Sequence, residues 1–267
     1  MKKGAEGRSS PSPKDLQLLT VVLDIETIPD AEAAGRAGID LGEGFPAWPL
    51  HQLACVSLLS IDRGSGWNLN FQVETLSRAD LSEGAIIAGV ERTIQNAQEV
   101  LTYNGRAFDV PVLMARAAVA RERCPAIAKL MAQPRRYHGK HVDLLEEVTG
   151  YGAATRLKLA DLCAAFSIPV KIDAHGSDVG ALAAEGRWGA ITRYCETDVV
   201  ATWLALQFWR AAERDDPGAA DQAWAQLASW IAAGQPELGH LLPYATAPVP
   251  GRGGRALSER HLAAISF

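Results

Sequence analysis

Long apolar runs are missing from this chain. No stretch approaches the ~18–20 residues that a membrane-spanning helix needs, so no such span is expected. The opening "MKKGAEGRSSPSPKDLQ" has two lysines but no apolar region behind them, and no secretory leader is expected there. Cysteine is scarce. Cys55, Cys124, Cys163 and Cys195 stand far apart and none forms a C-x-x-C pair. That argues against a zinc knuckle and favours reduced thiols, hence a cytoplasmic protein. A strong positive field is missing too. The net charge is −5, and the first 17 residues carry four basic and two acidic side chains, which leaves the rest at about −7. A protein that coats nucleic acid through its general charge is disfavoured, while a local site is not. One acid-free stretch, "KLMAQPRRYHGKH" at 129–141, holds Lys129, Arg135, Arg136 and Lys140. It reads either as a solvated basic loop or as a phosphate contact.

What is present fits one core of ordinary globular composition. Residues 1–17 read as a flexible tail. Residues 19–25 read as a central strand, because they have little polar content. Residues 29–51, rich in Gly, Pro and Ala, read as a long irregular insertion, a kind of loop that is usually functional or mobile. A strand at 52–61, the turn "RGSG" and the alternating "WNLNFQVET" predict a hairpin. Ser82 caps an amphipathic helix. "EVLTYN" is a short strand, and "FDVPVLMARAAVARE" a helix with Pro111 in its first turn. "HVDLLEEV" reads as a strand or strand edge. Helices are expected at about 157–166, 178–185, 187–213 and 219–233. The order predicts one α/β domain with a mixed sheet. We place it at 18–213, followed by a helical extension at 214–243 and a flexible tail at 244–267.

Three places carry unusual acids. In "TVVLDIETIPD", Asp24 and Glu26 are two residues apart on a strand, so both side chains point to one face and repel. In "LTYNGRAFDVPVL", Asn104–Gly105 ends a strand with a turn, and Asp109 lies near a helix start, where a plain capping role is an alternative. In "RYCETDVVATW", Tyr194 and Asp198 are i and i+4 on one helix face. Four carboxylates that meet in one place repel strongly unless cations fill it. Mg²⁺ or Mn²⁺ suits an all-carboxylate set, and zinc would want His or Cys.

"DIET", "YNGRAFDVP" and "YCETDVVAT", in that order, resemble the three exonuclease motifs of the DEDD superfamily, the DnaQ-like 3′–5′ exonucleases of ribonuclease H-like fold. The form Asn-x-x-x-Phe-Asp-x-Pro is similar to the second motif of family B DNA polymerase proofreading domains. "HVDLL", "LKLADLCAAFSIPVK" and "GSDVGALAAEG" are similar to a family of predicted exonucleases related to that domain. The resemblance covers about residues 18–210. It implies a five-stranded mixed sheet flanked by helices, with Asp24, Glu26, Asp109 and Asp198 as the four acids. Arg193 stands where one subtype has His, and Tyr194 where the other has Tyr, so the tyrosine subtype is implied.

The resemblance further implies a stand-alone enzyme that releases nucleoside 5′-monophosphates from the 3′ end of single-stranded nucleic acid, DNA favoured, without a membrane partner. Two divalent ions are expected, one on Asp24, Glu26 and Asp198, the other on Asp24 and Asp109. Tyr194 would orient the attacking water, because an ordinary tyrosine is a poor base at neutral pH. Thr27, Asn104, Phe108, Lys140 and His141 are candidate substrate contacts. For Phe108 core packing is the competing reading. Asp143 reads as an outer acid or a plain strand end, and His51 as packing. "QLASW" at 226–230 faintly resembles a sliding-clamp peptide but lies in a predicted helix. The alternatives are a catalytically silent module that binds nucleic-acid ends, an endonuclease, or an RNA exonuclease on the same fold.

Overall fold

The computed structural model describes residues 18–64, 68–132, 139–170, 178–234 and 236–246. Five strands form one mixed sheet: β1 (Leu19–Pro29), β2 (His51–Arg63), β3 (Leu69–Ser77), β4 (Glu99–Thr102) and β5 (His141–Asp143). Their order is β3-β2-β1-β4-β5. β1, β2 and β3 pair antiparallel, while β4 and β5 run parallel to β1 and to each other. The hairpin run at the start and the βαβ units that follow account for this mixture.

Alternation along β1 divides its side chains between two cores. Val21, Leu23 and Ile25 pack with α2 (Glu83–Gln95), α3 (Asp109–Ala120) and α4 (Pro125–Ala132) on one face. Val22 packs on the other face, against Val199, Val200 and Leu204 of α8 (Trp188–Glu213). Asp24 and Glu26 continue the parity of Val22, so they turn toward α8. Shorter helices complete the layers: α5 (Leu144–Val148), α6 (Leu159–Ala165) and α7 (Val179–Ala184).

Three expectations need correction. The segment after β1 is not irregular. It forms α1 (Ala31–Ala37), capped by the Asp30 carboxylate on the N–H of Ala33, and two 3-10 turns, Leu41–Glu43 and Trp48–Leu50. "HVDLLEEV" is a strand for three residues and a helix for the rest, because the carboxylate of Asp143 caps the N–H groups of Leu145 and Glu146. The chain after 243 is not a tail from its first residue. Beyond α9 (Pro217–Ala232), α10 spans Leu242–Thr246 and buries Tyr244. Trp224 donates its indole N–H to Tyr244 O at 2.7 Å, and the Tyr244 hydroxyl reaches Thr197 O at 3.4 Å. "QLASW" lies in α9 and is engaged in packing: Gln226 Oε1 accepts from Leu69 N at 2.7 Å and Leu227 is buried.

Ser82 caps α2, its hydroxyl accepting from Ala85 N at 3.3 Å. The four cysteines are unpaired. Among the described residues no helix is long and apolar enough to cross a membrane.

Candidate active site

The acids of β1, α3 and α8 meet at the end of the sheet toward which β1 and β4 run. Asp24 and Glu26 stand on β1, and α8 presents Tyr194, Cys195 and Asp198 to them. The Cys195 thiol donates to Asp24 Oδ2 at 3.3 Å and lies 3.4 Å from Asp24 O. One donor atom each from Asp24, Glu26 and Cys195 lies within 4.8 Å of the others. Burial, then the charges of Asp198 and Asp109, push the Asp24 carboxyl well above the usual range. Burial and the charge of Asp24 do the same to Glu26. The phenol of Tyr194 is pushed up by burial, by the charge of Asp198 and by its hydrogen bond to that carboxylate. It therefore keeps its proton at neutral pH.

Asp109 opens α3 and is 4% exposed. Burial, then the charge of Asp143, lift its carboxyl to about 8, and the backbone N–H groups of Asp109 and Ile25 pull the other way. Its Oδ1 is buried without a hydrogen-bond partner. A buried carboxylate oxygen with nothing to accept from is unfavourable in a protein alone and suits an incoming cation.

The turn before Asp109 is fixed from below. Asn104 adopts φ 64°, a left-handed conformation that asparagine tolerates. Gly105 is required by close approach, since a Cβ there would fall 2.5 Å from the Thr102 side chain. The Asp143 carboxylate accepts from Asn104 N and Arg106 N, each at 2.9 Å. Asp143 is thus neither a free outer acid nor an idle strand end. It ties the β4–α3 turn to the start of α5. A cavity of about 270 Å³ opens beside this turn, lined by Asn104, Asp143, Thr149, Tyr151 and Arg156 among others.

The remaining expected contacts divide. Asn104 lines that cavity, and its Oδ1 accepts from Arg156 Nη2. Phe108 is partly buried against the core behind Asp109, and its ring lies 5.3 Å from His51 and 5.6 Å from Phe45. Thr27 does not offer its hydroxyl to a substrate. The register shift after Glu26 seats it beside buried His51, with Oγ1 2.9 Å from Nδ1. His141 is a core residue, its Nε2 2.9 Å from Thr102 Oγ1, and burial and Arg106 lower its pKa to about 4. Lys140 points to the C-terminal end of α2, bonding Ile94 O and Gln95 O. These two basic residues are held by the fold rather than presented to phosphate. Arg135 and Arg136 lie outside the described residues.

Sequence reasoning missed Cys195 and Arg156. Cys195 stands three residues before Asp198 and shares its helix face, so its place against Asp24 could have been read from helix geometry. Arg156 sits in a loop with no periodicity, and nothing local signals it.

A family model described as predicted 3′–5′ exonuclease related to the exonuclease domain of PolB matches residues 43–247. The match begins after Asp24 and Glu26 and includes α9 and α10. No curated protein matches the chain. Among solved structures, the family B DNA polymerase of the hyperthermophilic archaeon Pyrobaculum calidifontis is 16% identical, with a TM-score of 0.52, over 91% of this chain and 28% of the polymerase. A structure of exonuclease I is 15% identical, TM-score 0.43, over 72% of this chain and 41% of that one. E. coli exonuclease I in complex with a dT13 oligonucleotide is 16% identical, TM-score 0.39, over 75% and 43%. The chain thus spans less than half the length of each. The polymerase match places the five-stranded sheet with the ribonuclease H-like exonuclease folds.

Proposed function

Because this chain belongs to the family of predicted 3′–5′ exonucleases related to the exonuclease domain of PolB, we propose that it removes nucleotides from the 3′ end of single-stranded nucleic acid, DNA rather than RNA. It hydrolyses the terminal phosphodiester and releases nucleoside 5′-monophosphates. The observation that carries this reading is the meeting of acids from β1, α3 and α8, where burial and repulsion from neighbouring acids hold Asp24 and Glu26, and burial and Asp143 hold Asp109, above the usual carboxylate range. Such a group ionises together only with positive charge among it.

The donor set fits hard divalent ions. Carboxylate oxygens dominate it, and the buried Oδ1 of Asp109 has no hydrogen-bond partner of its own. Asp24, Glu26 and Asp198 would hold one Mg²⁺ or Mn²⁺, and Asp24 with Asp109 a second. When bound, the two ions supply an activated water at neutral pH and stabilise charge on the leaving 3′ oxygen. The rest falls to the chain itself. Tyr194 keeps its proton and donates a hydrogen bond to Asp198, so its oxygen accepts a hydrogen bond from the water and orients it, and it does not act as a base. Asn104, whose side-chain oxygen is taken by Arg156, has its amide N–H left to donate to the terminal nucleotide. Arg156 places a cation beside the cavity for a phosphate. Phe108 packs behind Asp109 and supports its position.

Asp24→Ala removes the ligand shared by both ions. We expect 3′-end degradation of a labelled DNA strand in Mn²⁺ to fall by roughly a thousandfold or more, ~4 kcal/mol of transition-state stabilisation, with an unchanged circular dichroism spectrum. Degradation at the wild-type rate would sink the mechanism. A matched RNA strand and a circular DNA strand complete the assay. Preference for RNA would correct the substrate, and cut circles would make the enzyme an endonuclease.

A further inference from the structure

Cys195 is buried, yet it touches the acids. Its thiol donates to Asp24 Oδ2 at 3.3 Å and shares a hydrogen bond with Cys55, which stands opposite Glu26 in the β1–β2 pair. Among the described residues, one group of three His, Cys, Asp or Glu side chains has donor atoms that all lie within 4.8 Å of one another, and it consists of Asp24, Glu26 and Cys195. Asp198 is not in it. The third donor beside the two β1 acids is therefore a sulfur, where an all-carboxylate centre would have an oxygen.

Two further observations point to a cation there. The charges that bear most on Asp24 are those of Asp198 and Asp109, both negative. Asp109, 4% exposed, has its Oδ1 buried with no hydrogen-bond partner. Asp24 keeps some solvent exposure, which leaves an ion a way in. Donor chemistry then decides which ion. Oxygen alone suits Mg²⁺ and Mn²⁺, whereas a thiolate among carboxylates suits Zn²⁺, which such donors bind more tightly than Mn²⁺. On binding, the ion takes the place of the thiol proton, which passes to solvent, and no electron moves.

We propose that Asp24, Glu26 and Cys195 form a site for a thiophilic divalent ion, Zn²⁺, and that Zn²⁺ held there blocks the exonuclease reaction by occupying both β1 acids. The block rests on the exonuclease reading above. The ion site does not.

The test uses the full chain, reduced with a phosphine and freed of metal. The wild type loaded with an equimolar amount of Zn²⁺ should show a sulfur neighbour at about 2.3 Å in zinc X-ray absorption. Co²⁺ in its place should give sulfur-to-cobalt charge-transfer absorption. Both signals should vanish in Cys195→Ser and persist in Cys124→Ser and Asp198→Asn. Zinc with only oxygen and nitrogen neighbours, or signals unchanged in Cys195→Ser, would overturn the site. Should Cys195→Ser fail to fold by circular dichroism, Asp24→Asn keeps the thiol and should bind Zn²⁺ at least roughly 10-fold more weakly. Wild-type zinc affinity in that variant would overturn the site as well. Degradation of a 3′-labelled DNA strand in Mn²⁺ is then followed as Zn²⁺ rises, each protein measured against its own rate without zinc. Half-inhibition should need at least roughly 10-fold more Zn²⁺ in Cys195→Ser than in the wild type, and added Mn²⁺ should relieve the wild-type block. Equal sensitivity of the two would overturn the block. A wild type that holds zinc through sulfur but degrades nothing in Mn²⁺ removes the exonuclease reading and leaves the ion site standing.

Discussion

Asp109 ionises near its ordinary value of 3.8 in an unfolded chain and near 8 in the ion-free fold. The folded carboxyl therefore keeps a proton that the unfolded one gives up between those values. Its contribution to stability is complete below about pH 4 and is lost as pH rises toward about 8. Asp24 and Glu26, raised for the same reasons, act in the same direction. In EDTA we expect Tm to fall between pH 5 and pH 9, by roughly 2–4 °C for each kcal/mol lost. Saturating Mn²⁺ should abolish the slope, and Asp109→Asn should reduce it. A flat Tm profile in EDTA, read by differential scanning fluorimetry, would contradict this account. Tyr194 supports a second expectation. Tyr194→Phe removes the hydroxyl on Asp198 while leaving the ring in place, so kcat should drop about 10- to 100-fold with little change in substrate Kd. Single-turnover and binding measurements on the same strand separate the two.

At the scale of elements, the segment that follows β1 depends on one buried cation. Arg116 of α3 holds Asp30 at 2.9 Å and reaches Glu83, the first residue of α2, at 2.5 Å. Glu83 in turn accepts from Leu53 N of β2 at 2.8 Å. One guanidinium thus joins α3, the start of α2, the β1–α1 junction and, through Glu83, β2. Removing it strands Asp30 with little access to water and leaves Glu83 only Arg78 at 3.7 Å, which is the costly way to break a buried pair. Arg116→Ala should lower the free energy of unfolding by roughly 3 kcal/mol in urea titration.

The whole molecule is held together by its C-terminal helices. Ala223, Trp224, Leu227, Ile231, Leu241 and Tyr244 are buried in the core on the α8 face of the sheet. His240 reaches Glu196 of α8 at 2.9 Å, and Glu196 also accepts from Thr75 of β3 at 2.8 Å. At roughly 1.5–3 kcal/mol for each large side chain, these helices contribute on the order of 10 kcal/mol, as much as a whole domain's net stability. A chain ended at Glu213 should show no cooperative thermal transition and should be cut rapidly by trypsin. A sharp transition in that truncated chain would make the helices an appendage after all.

The sequence alone determined the order of the five strands and of the longer helices α2, α3, α8 and α9, because alternation and i, i+4 spacing are local and survive without knowledge of partners. It also singled out the acids that the fold brings together, since two carboxylates on one strand face and a Tyr–Asp pair on one helix face are unusual before any folding. Tertiary structure decided the rest. Parity with Val22 aims Asp24 and Glu26 at α8, and this depends on which face each core occupies. Lys140, His141 and Thr27 looked available for substrate, and long-range bonds to α2, Thr102 and His51 took them up. Cys195 and Arg156 looked ordinary, and helix packing brought the first to Asp24 while a loop brought the second to Asn104. Local patterns set what a residue can do. Contacts between residues distant in the chain set what is left for it to do.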